Sequence, residues 1–592
     1  MKTFKGQVVS PGYARGKAFI YGSSLLGAVP RSKISRAEVG PEIERFESAL
    51  RKSVHELEAL RAKLKAKLGD AESSIFEAHL SLLRDPEFVL KIKQRVHNDL
   101  VNVDHAVELQ IQDLERVLAA VKNQYLRERT QDIRDVGRRL LKHLAPQGDA
   151  QGISLSHLPP DSVVVAEELL PSDTMELDRP NAVALVTAKG GETSHAAILA
   201  RALGLPYITG IADATRLISP GDTVLVDGES QTVTVSPSTE QAATFSNAKA
   251  QYDEQSQRTL AAELEESVTT DGVRIALFAN IRRLEEGDSV KQHHLAGVGL
   301  FRTEYLFMQE PAPPSLDKQR QVYSALARSL HPLPVVLRTL DLGGDKQPVF
   351  LKQRAPGKGF RGLRFSLSQP ELFTTQLRAI LWAAHQHRNV RVLFPMVLGS
   401  DDLKQAIETL RAAARQEQIN FLPPIGAMIE TPSAVFLINE ILELADFVSI
   451  GTNDLTQFML AADRNAAGLN YEYSVLQPSI LRAIARVNEA AQSQGRAVCV
   501  CGEAAGDPMI AALIVGMGIR ELSMSPSRAA SVRYLLRLAC STDLQSMAQK
   551  ALQAKEASAI ERVVRDLQQR LGKDHSGEGA RDETFGSHCA AM

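Results

Sequence analysis

Residues 425–454 read IGAMIETPSAVFLINEILELADFVSIGTND, and their apolar and polar pattern decides the fold of the larger half of the chain. Two short apolar runs, 425–429 and 447–451, flank a segment whose apolar residues recur at helical spacing. Short apolar runs of this kind are typical of buried strands, so the stretch predicts a strand, a helix and a second strand. A carboxylate residue follows each run: Glu430 follows the first and Asp454 the second.

The same alternation continues from about residue 268 to residue 572. In chain order, the strand candidates are RIALFANI, VGLFRTE, VVLRTLDL, VRVLFPMV, IGAMIE, FVSIGTND, AVCVCGE and ELSMSP. Eight strands separated by helical segments predict a (β/α)8 barrel. The carboxyl ends of the strands form the active-site face of such a barrel, and several candidates end there in polar or charged residues.

Two carboxylates at successive strand ends, Glu430 and Asp454, are candidates for a metal site. Hard oxygen ligands on a rigid rim suit Mg²⁺, which keeps other positions for water and for substrate oxygens. Carboxylates at strand ends also pair with nearby arginines, and the pattern by itself leaves both roles open.

Three arginines, Arg302, Arg338 and Arg464, are predicted to add positive charge to the same end of the barrel. A guanidinium group binds phosphate or carboxylate through two parallel hydrogen bonds, although a single arginine is more often part of a surface salt bridge. Together with the two carboxylates, these arginines predict a small, highly anionic substrate. The Gly-Gly turn in LDLGGDK, residues 340–346, allows backbone amides to approach such a ligand, and Lys346 follows the two glycines.

Cys501 ends the seventh strand candidate and shares one strand face with Cys499. A free cysteine is usually a small buried apolar residue, and two cysteines without further ligands make a poor metal site. A thiol at the mouth of a barrel is also able to act as a general acid. Both roles stay open for Cys501.

The rest of the chain has a different pattern of apolar and polar residues from that of the predicted barrel. Residues 1–22 and 147–236 contain β-branched runs bounded by turn residues and predict one small α/β domain. Residues 25–145 predict an inserted helical bundle, with a coiled-coil stalk as the alternative. Residues 237–267 predict a linker helix, and residues 573–592 predict a disordered tail. The predicted fold class is therefore multidomain α/β: a (β/α)8 barrel plus a small α/β domain interrupted by a helical bundle.

The small domain contains GGETSHAAILARALG at residues 190–204, where His195 follows a Gly-Gly pair at the start of a helix-like run. A lone histidine near a helix start is most often a surface or capping residue. Backbone N–H groups and the helix dipole at such a position also favour an anion, for example a phosphoryl group. A neutral imidazole is in addition a good nucleophile near neutral pH.

Composition indicates an ordinary globular protein of several domains. The chain has 592 residues, 68 basic and 70 acidic side chains and a net charge of −2, a balance that gives no indication of a nucleic-acid or membrane-surface partner. Four cysteines in so long a chain do not form a disulfide framework. No signal peptide and no membrane-spanning run is recognisable in the sequence. We therefore expect a cytoplasmic protein in a reducing compartment.

Together these stretches resemble the Enzyme I family, the phosphoenolpyruvate-protein phosphotransferases of the bacterial sugar phosphotransferase system. GGETSHAAILAR is similar to the phosphohistidine motif of that family, and SIFEAHLSLLRDP is similar to its inserted helical domain. The matching barrel motifs, in family order, are GLFRTEYLFM, LRTLDLGGDK, QLRAIL, FPMV, IETPSA, SIGTNDLTQFMLAADRN and CGEAAGDP. The helical domain separates this family from the related dikinases, which carry an ATP-binding domain instead.

The resemblance implies a two-step phosphoryl transfer. His195 is expected to accept the phosphoryl group of phosphoenolpyruvate (PEP) on Nε2 and to pass it to a histidine of the carrier protein HPr, or of an HPr-like protein. The helical domain is expected to dock that carrier, and the barrel is expected to form a homodimer. Thr174, in PSDT, is expected to hydrogen-bond the imidazole.

The resemblance also assigns roles at the barrel mouth. Glu430 and Asp454 are expected to hold Mg²⁺, and Cys501 to protonate the enolate and give pyruvate. Arg364, in GFRGLRFSL, is expected to be a further site arginine. The residues expected to bind PEP are Arg302, Arg338, Asn453, Asp454 and Arg464.

Two alternatives remain at this stage. One is a non-catalytic protein that senses phosphorylation on the same scaffold, although the complete set of predicted site residues argues against it. The other is a paralogue whose carrier serves a nitrogen-regulatory or dihydroxyacetone branch rather than sugar uptake. Because the helical domain has no catalytic candidates, we also expect that deleting it would leave the labelling of His195 by PEP largely intact.

Overall fold

The structure is a computed structural model that describes residues 2–22, 30–68, 75–119, 124–145, 155–177, 180–191, 195–308, 312–342, 361–461 and 474–573. The chain forms two compact units, residues 1–255 and residues 256–592. None of the helices in the described ranges is both long and apolar enough to cross a membrane. The tail predicted to be disordered lies, from residue 574 onward, outside the described residues.

The first unit begins with three strands and continues into five helices. The strands are β1 (Lys2–Lys5), β2 (Gln7–Ser10) and β3 (Tyr13–Tyr21). The helices are α1 (Val39–Leu68), α2 (Ile75–Leu83), α3 (Pro86–Asp99), α4 (Val103–Ala119) and α5 (Gln124–Leu144). Their apolar faces share one core that includes Phe46, Phe76, Ile92 and Leu140, so the helices fold back on one another as a bundle.

The remaining strands of this unit join the first three in one sheet. They are β4 (Ser162–Ala166), β5 (Ala182–Thr187), β6 (Tyr207–Thr209), β7 (Thr223–Asp227) and β8 (Thr232–Val235). The order is β1-β8-β7-β3-β4-β5-β6-β2, in which β3 to β6 are parallel neighbours. Strand β4 is buried along its whole length, because apolar clusters cover both faces of the sheet. The helical bundle is thus an insertion between two parts of one sheet.

Short helices and one long helix complete the first part of the chain. The short helices are α6 (Pro171–Glu176), α7 (His195–Ala202) and α8 (Ala214–Leu217). The long helix α9 (Thr239–Ala261) contains the boundary between the two units. Its Phe245 and Tyr252 pack against Tyr13 of β3, with ring centroids 5.5 and 5.3 Å apart.

The second unit is a closed barrel of eight parallel strands, which together with the sheet and bundle confirms the predicted fold class. The strands are β9 (Ala276–Ile281), β10 (Val298–Arg302), β11 (Val335–Arg338), β12 (Val390–Phe394), β13 (Ile425–Ile429), β14 (Phe447–Gly451), β15 (Ala497–Cys501) and β16 (Glu521–Met524). Each strand pairs with the next, and β16 pairs with β9 to close the ring.

Helices accompany the strands of the barrel. They are α10 (Asp288–Gln292), α11 (Glu304–Met308), α12 (Leu316–Leu330), α13 (Leu363–Ser368), α14 (Pro370–His387), α15 (Ser400–Gln416), α16 (Pro432–Phe436), α17 (Ile438–Leu442), α18 (Thr452–Met459), α19 (Pro478–Ser493), α20 (Pro508–Gly516), α21 (Ala529–Leu538), α22 (Ser541–Gln553) and α23 (Ala557–Lys573).

Side chains fill the interior of the barrel. Phe447 lies across from Gly426, where an added Cβ would come within 2.3 Å of the Phe447 ring. Leu300, Met428 and Cys501 belong to the same interior cluster. The barrel is therefore a packed core, and chemistry is confined to the ends of its strands.

In the bundle, Glu56 of α1 pairs with three side chains of α5. It lies 2.8 Å from Arg139, 2.7 Å from His143 and 3.6 Å from Lys142. Burial alone would raise the pKa of Glu56, but the hydrogen bond from His143 and the nearby positive charges lower it to about 2. Because this value lies below that of the unfolded chain, the group stabilises the folded state above the unfolded pKa, and this contribution disappears as pH falls toward about 2.

We predict that Glu56→Gln lowers the free energy of unfolding at pH 7, by on the order of 1 kcal/mol after allowing for solvent screening. The difference between the two proteins should shrink as the pH falls from about 4.5 to about 2. Urea denaturation followed by circular dichroism across this range measures it. A difference that stays constant down to pH 2 would contradict the prediction.

Candidate active site

The structure places five of the predicted site residues at the carboxyl ends of the barrel strands. Arg302 ends β10, Arg338 ends β11 and Cys501 ends β15. Glu430 directly follows β13, and Asp454 lies in the first turn of α18, directly after β14. Parallel strands bring these side chains to one face of the barrel, as the sequence predicts.

Arg338 is buried among carboxylates at this face. Its guanidinium donates a hydrogen bond to Glu304 Oε1 at 2.8 Å and lies 3.4 Å from Asp341 Oδ2. Burial alone would lower the pKa of Arg338, but the charges of Glu304 and Asp341 raise it above its usual value. Arg338 is therefore a fixed positive charge in the floor of the site.

Arg302 has a different environment from Arg338. Within the described residues its Nε atom, like that of Arg338, is buried and has no hydrogen-bond partner. Burial and the nearby charges of Arg338 and Arg282 lower its pKa. A cation that is desolvated and repelled by other cations gains stability when an anion binds beside it.

Glu430 is almost completely buried, at 1% exposure. Its Oε1 accepts a hydrogen bond from the Met396 backbone N–H at 2.6 Å. Burial, followed by repulsion from Asp454 and Asp341, raises the pKa of Glu430 to about 8. A metal cation bound beside these carboxylates would offset the repulsion between them.

The donor set fits a divalent cation. An added Cβ at Gly451 would lie 2.7 Å from Glu430 Oε2, so the glycine keeps the space beside this oxygen open. Across the described ranges, His, Cys, Asp and Glu side chains form no group of three that could hold a metal ion alone. Two carboxylates, with the other positions left to water and substrate oxygens, match the way Mg²⁺ is usually bound.

Arg361 also reaches this cluster, and sequence reasoning missed it. Its guanidinium donates to Asp341 at 3.0 and 2.6 Å and to Asp454 at 2.8 and 3.3 Å. Arg364, which the sequence comparison selected, has an exposed side chain in the first turn of α13. The motif GFRGLRFSL contains both arginines three residues apart, which is the signal that could have indicated either one.

Cys501 is buried beneath the charged cluster, at 3% exposure. It accepts a hydrogen bond from Ser449 Oγ at 2.9 Å. Burial raises the pKa of the thiol to about 11, although the Ser449 hydrogen bond opposes this. The thiol is therefore protonated at neutral pH and has a proton to donate.

The structure describes some of the remaining candidate residues of the barrel. Asn453 lies in the first turn of α18, where its Oδ1 accepts a hydrogen bond from the Glu503 backbone N–H at 3.3 Å. Cys499 is buried on the same strand as Cys501. Arg464 and Lys346 lie outside the described residues.

In the first unit, His195 is the first residue of α7, and its side chain lies outside the described set. Gly190 precedes it in a turn with φ +133°, a conformation that favours glycine. An added Cβ there would lie 3.1 Å from Tyr207 OH and 3.2 Å from Thr209 Oγ1. These hydroxyls bond to Thr187 Oγ1, each at 2.9 Å, and form a buried polar support under the turn.

Thr174, in α6, is buried at 1% exposure. Its hydroxyl donates to the Leu170 carbonyl at 3.2 Å. Because a hydroxyl has a single proton, Thr174 Oγ1 can only accept a further hydrogen bond. Helix α6 contacts α7, the helix that His195 begins.

Comparison with known proteins agrees with this arrangement along the whole chain. Family models of PEP-utilising enzymes match in three places: the N-terminal domain over residues 5–129, the mobile domain over 158–231 and the PEP-binding domain over 256–540. The phosphoenolpyruvate-protein phosphotransferase of Geobacillus stearothermophilus is 36% identical over 577 residues, which are 96% of each chain. The enzyme of the same name from Enterococcus faecalis is 36% identical over 574 residues, covering 94% of this chain and 98% of its own.

Among solved structures, an NMR solution structure of an Enzyme I protein is 35% identical and covers 42% of this chain and 99% of its own, with a TM-score of 0.36.

The fold, the charged barrel mouth and the three domain matches define a PEP-utilising enzyme. Within that class, the chain belongs to the family of phosphoenolpyruvate-protein phosphotransferases, Enzyme I of the phosphotransferase system. It is an enzyme, and its reaction is phosphoryl transfer from PEP.

The geometry predicts that Arg361 contributes to PEP binding and Arg364 does not. Arg361→Met should raise the KM for PEP by about tenfold or more, since a hydrogen bond to a charged group contributes about 1.5–3 kcal/mol. Arg364→Met, three residues away, is the matched control and should leave the KM within about twofold of the wild type. Steady-state assay of pyruvate release measures both. Equal effects of the two substitutions would contradict the assignment.

Proposed function

We propose that the chain transfers the phosphoryl group of PEP to Nε2 of His195 and then to a histidine of HPr, or of an HPr-like carrier, with release of pyruvate. The observation that carries this proposal is the barrel mouth, where Arg338 and Arg361 lie close to the two candidate metal carboxylates and Arg302 lies near Arg338. This arrangement has the charges that a phosphate and a carboxylate on one small molecule require.

In the first half-reaction, the arginines and Asn453 orient PEP, together with Arg464. Arg338 is held by carboxylates, so it adds charge at a constant position. Within the described residues, the buried Nε atoms of Arg302 and Arg338 have no hydrogen-bond partner, so both are free to donate to an incoming oxyanion. Fixed positive charges of this kind stabilise the charge that develops during phosphoryl transfer.

Glu430 and Asp454 would hold Mg²⁺ in this site. Bound there, the ion would neutralise charge on the phosphate and enolate oxygens. Gly451 leaves room beside Glu430, and the repulsion between the two carboxylates favours a divalent partner. Arg361 donates a hydrogen bond to Asp454 and helps to hold this carboxylate in position.

Cys501 completes the conversion of PEP. Transfer of the phosphoryl group breaks the P–O bond and leaves the enolate of pyruvate. The protonated thiol then gives its proton to the methylene carbon, and the thiolate recovers a proton from solvent. Because the pKa of Cys501 is high, the thiol keeps its proton until the enolate forms.

Thr174 is proposed to select the reactive form of His195. Since its hydroxyl proton is committed to Leu170, the oxygen would accept from Nδ1–H of the imidazole. This fixes the tautomer in which Nε2 carries the free lone pair and acts as the nucleophile. The N-terminus of α7 then favours the phosphoryl anion.

The proposed partners follow from the same reaction. The next carrier docks on the helical bundle, the barrel forms a homodimer, and the linker around α9 allows the small domain to reach both phosphoryl donor and acceptor. Sugar uptake is the proposed branch, in the cytoplasm. No observation favours the non-catalytic alternative, because the candidate acid, arginines and carboxylates are all present.

We predict that labelled PEP with Mg²⁺ phosphorylates His195 alone, in an acid-labile and base-stable bond. His195→Ala should abolish the label, which peptide mapping by mass spectrometry detects. Undiminished labelling of His195→Ala would refute the assignment.

Glu430→Gln should weaken divalent cation binding by more than about tenfold, because it removes one of two carboxylate ligands. Binding of Mn²⁺ as a probe, followed by electron paramagnetic resonance in the absence of substrate, measures this directly. Glu503→Gln, two residues after the end of β15, is the control and should bind Mn²⁺ as the wild type does. Unchanged binding by Glu430→Gln would exclude a metal role for this residue.

A further inference from the structure

One face of the bundle helix α5 is directed at the short helix α6. Four side chains share this face: Asp135, Arg138, Arg139 and Lys142. Their spacing of three, one and three residues repeats the helical period, so they line up over two turns. Each of them contacts a residue of α6.

The first contact is a buried network around Ser172. Asp135 Oδ2 accepts from the Ser172 backbone N–H at 3.1 Å and from its hydroxyl at 2.8 Å. Arg139 donates to the same hydroxyl oxygen. Asp135, Arg139 and Ser172 are all at least nine-tenths buried, so water does not compete for these bonds.

The second contact is an ion pair between Arg138 and Asp173. Arg138 Nη1 donates to Asp173 Oδ2 at 2.8 Å, with 15% and 8% of the two side chains exposed. The same carboxylate accepts from Tyr21 OH at 2.8 Å and from the Leu170 backbone N–H at 2.9 Å. Burial raises the pKa of Asp173, and the charge of Arg138 opposes this. Without Arg138, the buried carboxylate would lose the positive charge paired with it.

Helix α6 therefore lies between the bundle and the reactive centre. It contacts α5 on one side and α7, the helix that His195 begins, on another. It also contains Thr174, next in sequence to Asp173. With six residues, α6 is too short to hold a conformation by itself and depends on such contacts.

We propose that the bundle, through Arg138 on Asp173 and through Asp135 and Arg139 on Ser172, positions α6 and thereby sets the orientation of His195 for phosphoryl transfer. This inference rests on the proposed role of His195 and extends it: the bundle is part of the phosphorylation machinery as well as a docking surface. Arg138 is a positioning residue, since it acts through Asp173. The inference differs from the expectation based on the sequence, since it implies that deleting the bundle would slow the labelling of His195 by PEP.

The test compares Arg138→Met with Lys142→Met. Lys142 lies one turn along the same face, and its pair with Glu176 is looser, at 3.4 Å, and partly exposed. Rapid-quench assays with full-length protein measure His195 phosphorylation from PEP and, in reverse, from phosphorylated HPr. We expect Arg138→Met to slow both rates at saturating donor by tenfold or more. Lys142→Met should stay within twofold of the wild type.

Two further readouts separate positioning from general damage. The KM for PEP should be unchanged in Arg138→Met, because the barrel is intact, and Arg138→Lys should recover part of the rate. If Arg138→Met does not fold, Ser172→Ala replaces it; this variant removes the hydroxyl bonds, keeps the ion pair and should slow both rates at least threefold.

The outcomes distinguish the inference from the proposed function. A folded Arg138→Met, or Ser172→Ala in its place, that phosphorylates His195 at wild-type rates in both directions overturns the positioning role. Slowing in only one direction, or slowing by Lys142→Met to the same extent, also overturns it. Failure of the wild-type protein to label His195 would instead refute the proposed function.

Discussion

The balance of charge at the barrel mouth is the constraint on which the rest of the structure depends. Three buried or half-buried carboxylates, Asp341, Glu430 and Asp454, converge there. Arg338 and Arg361 offset only part of this charge. Burial, together with the remaining repulsion from Asp454 and Asp341, raises the pKa of Glu430 to about 8. Ionised carboxylates are kept together in a low-dielectric place only if cations join them. This charge balance supports the proposal that the site binds a divalent ion together with an anionic substrate, whose negative charge the arginines would offset.

The candidate site residues are divided between the two units of the chain. The barrel contains the charged side chains proposed to bind PEP, whereas the proposed nucleophile, His195, belongs to the unit whose sheet is interrupted by the helical bundle. The buried contacts between α5 and α6 make this insertion part of the support of α7. Docking of a carrier on the bundle would then act on the same helices that orient the phosphoryl acceptor. This connection is a physical reason for inserting the bundle into the small domain rather than attaching it at one end.

The barrel was predictable because its strands are buried on both faces and so read as short continuous apolar runs. Residues that directly follow such runs, as Glu430 follows β13, were predictable for the same reason: parallel strands bring their carboxyl ends to one face. Arg361 was not, because GFRGLRFSL offers two arginines three residues apart. Which one faces the mouth depends on where α13 begins. That start is set by Gly362, with φ +60°, whose Cα packs so closely on Met396 that an added Cβ would lie 2.5 Å from the Met396 Cβ.

The sequence by itself determined the order of elements, the class of fold and most residues at the barrel mouth, because periodicity and strand ends are local properties of the chain. Only the tertiary structure decided which ionisable groups share one buried space. Arg361 pairs with Asp454, which is 93 positions away. The pKa of Glu430 is raised in part by Asp454, which is 24 positions away, and Arg138 pairs with Asp173, which is 35 positions away. Such couplings depend on distance and desolvation, which packing sets and local sequence does not encode.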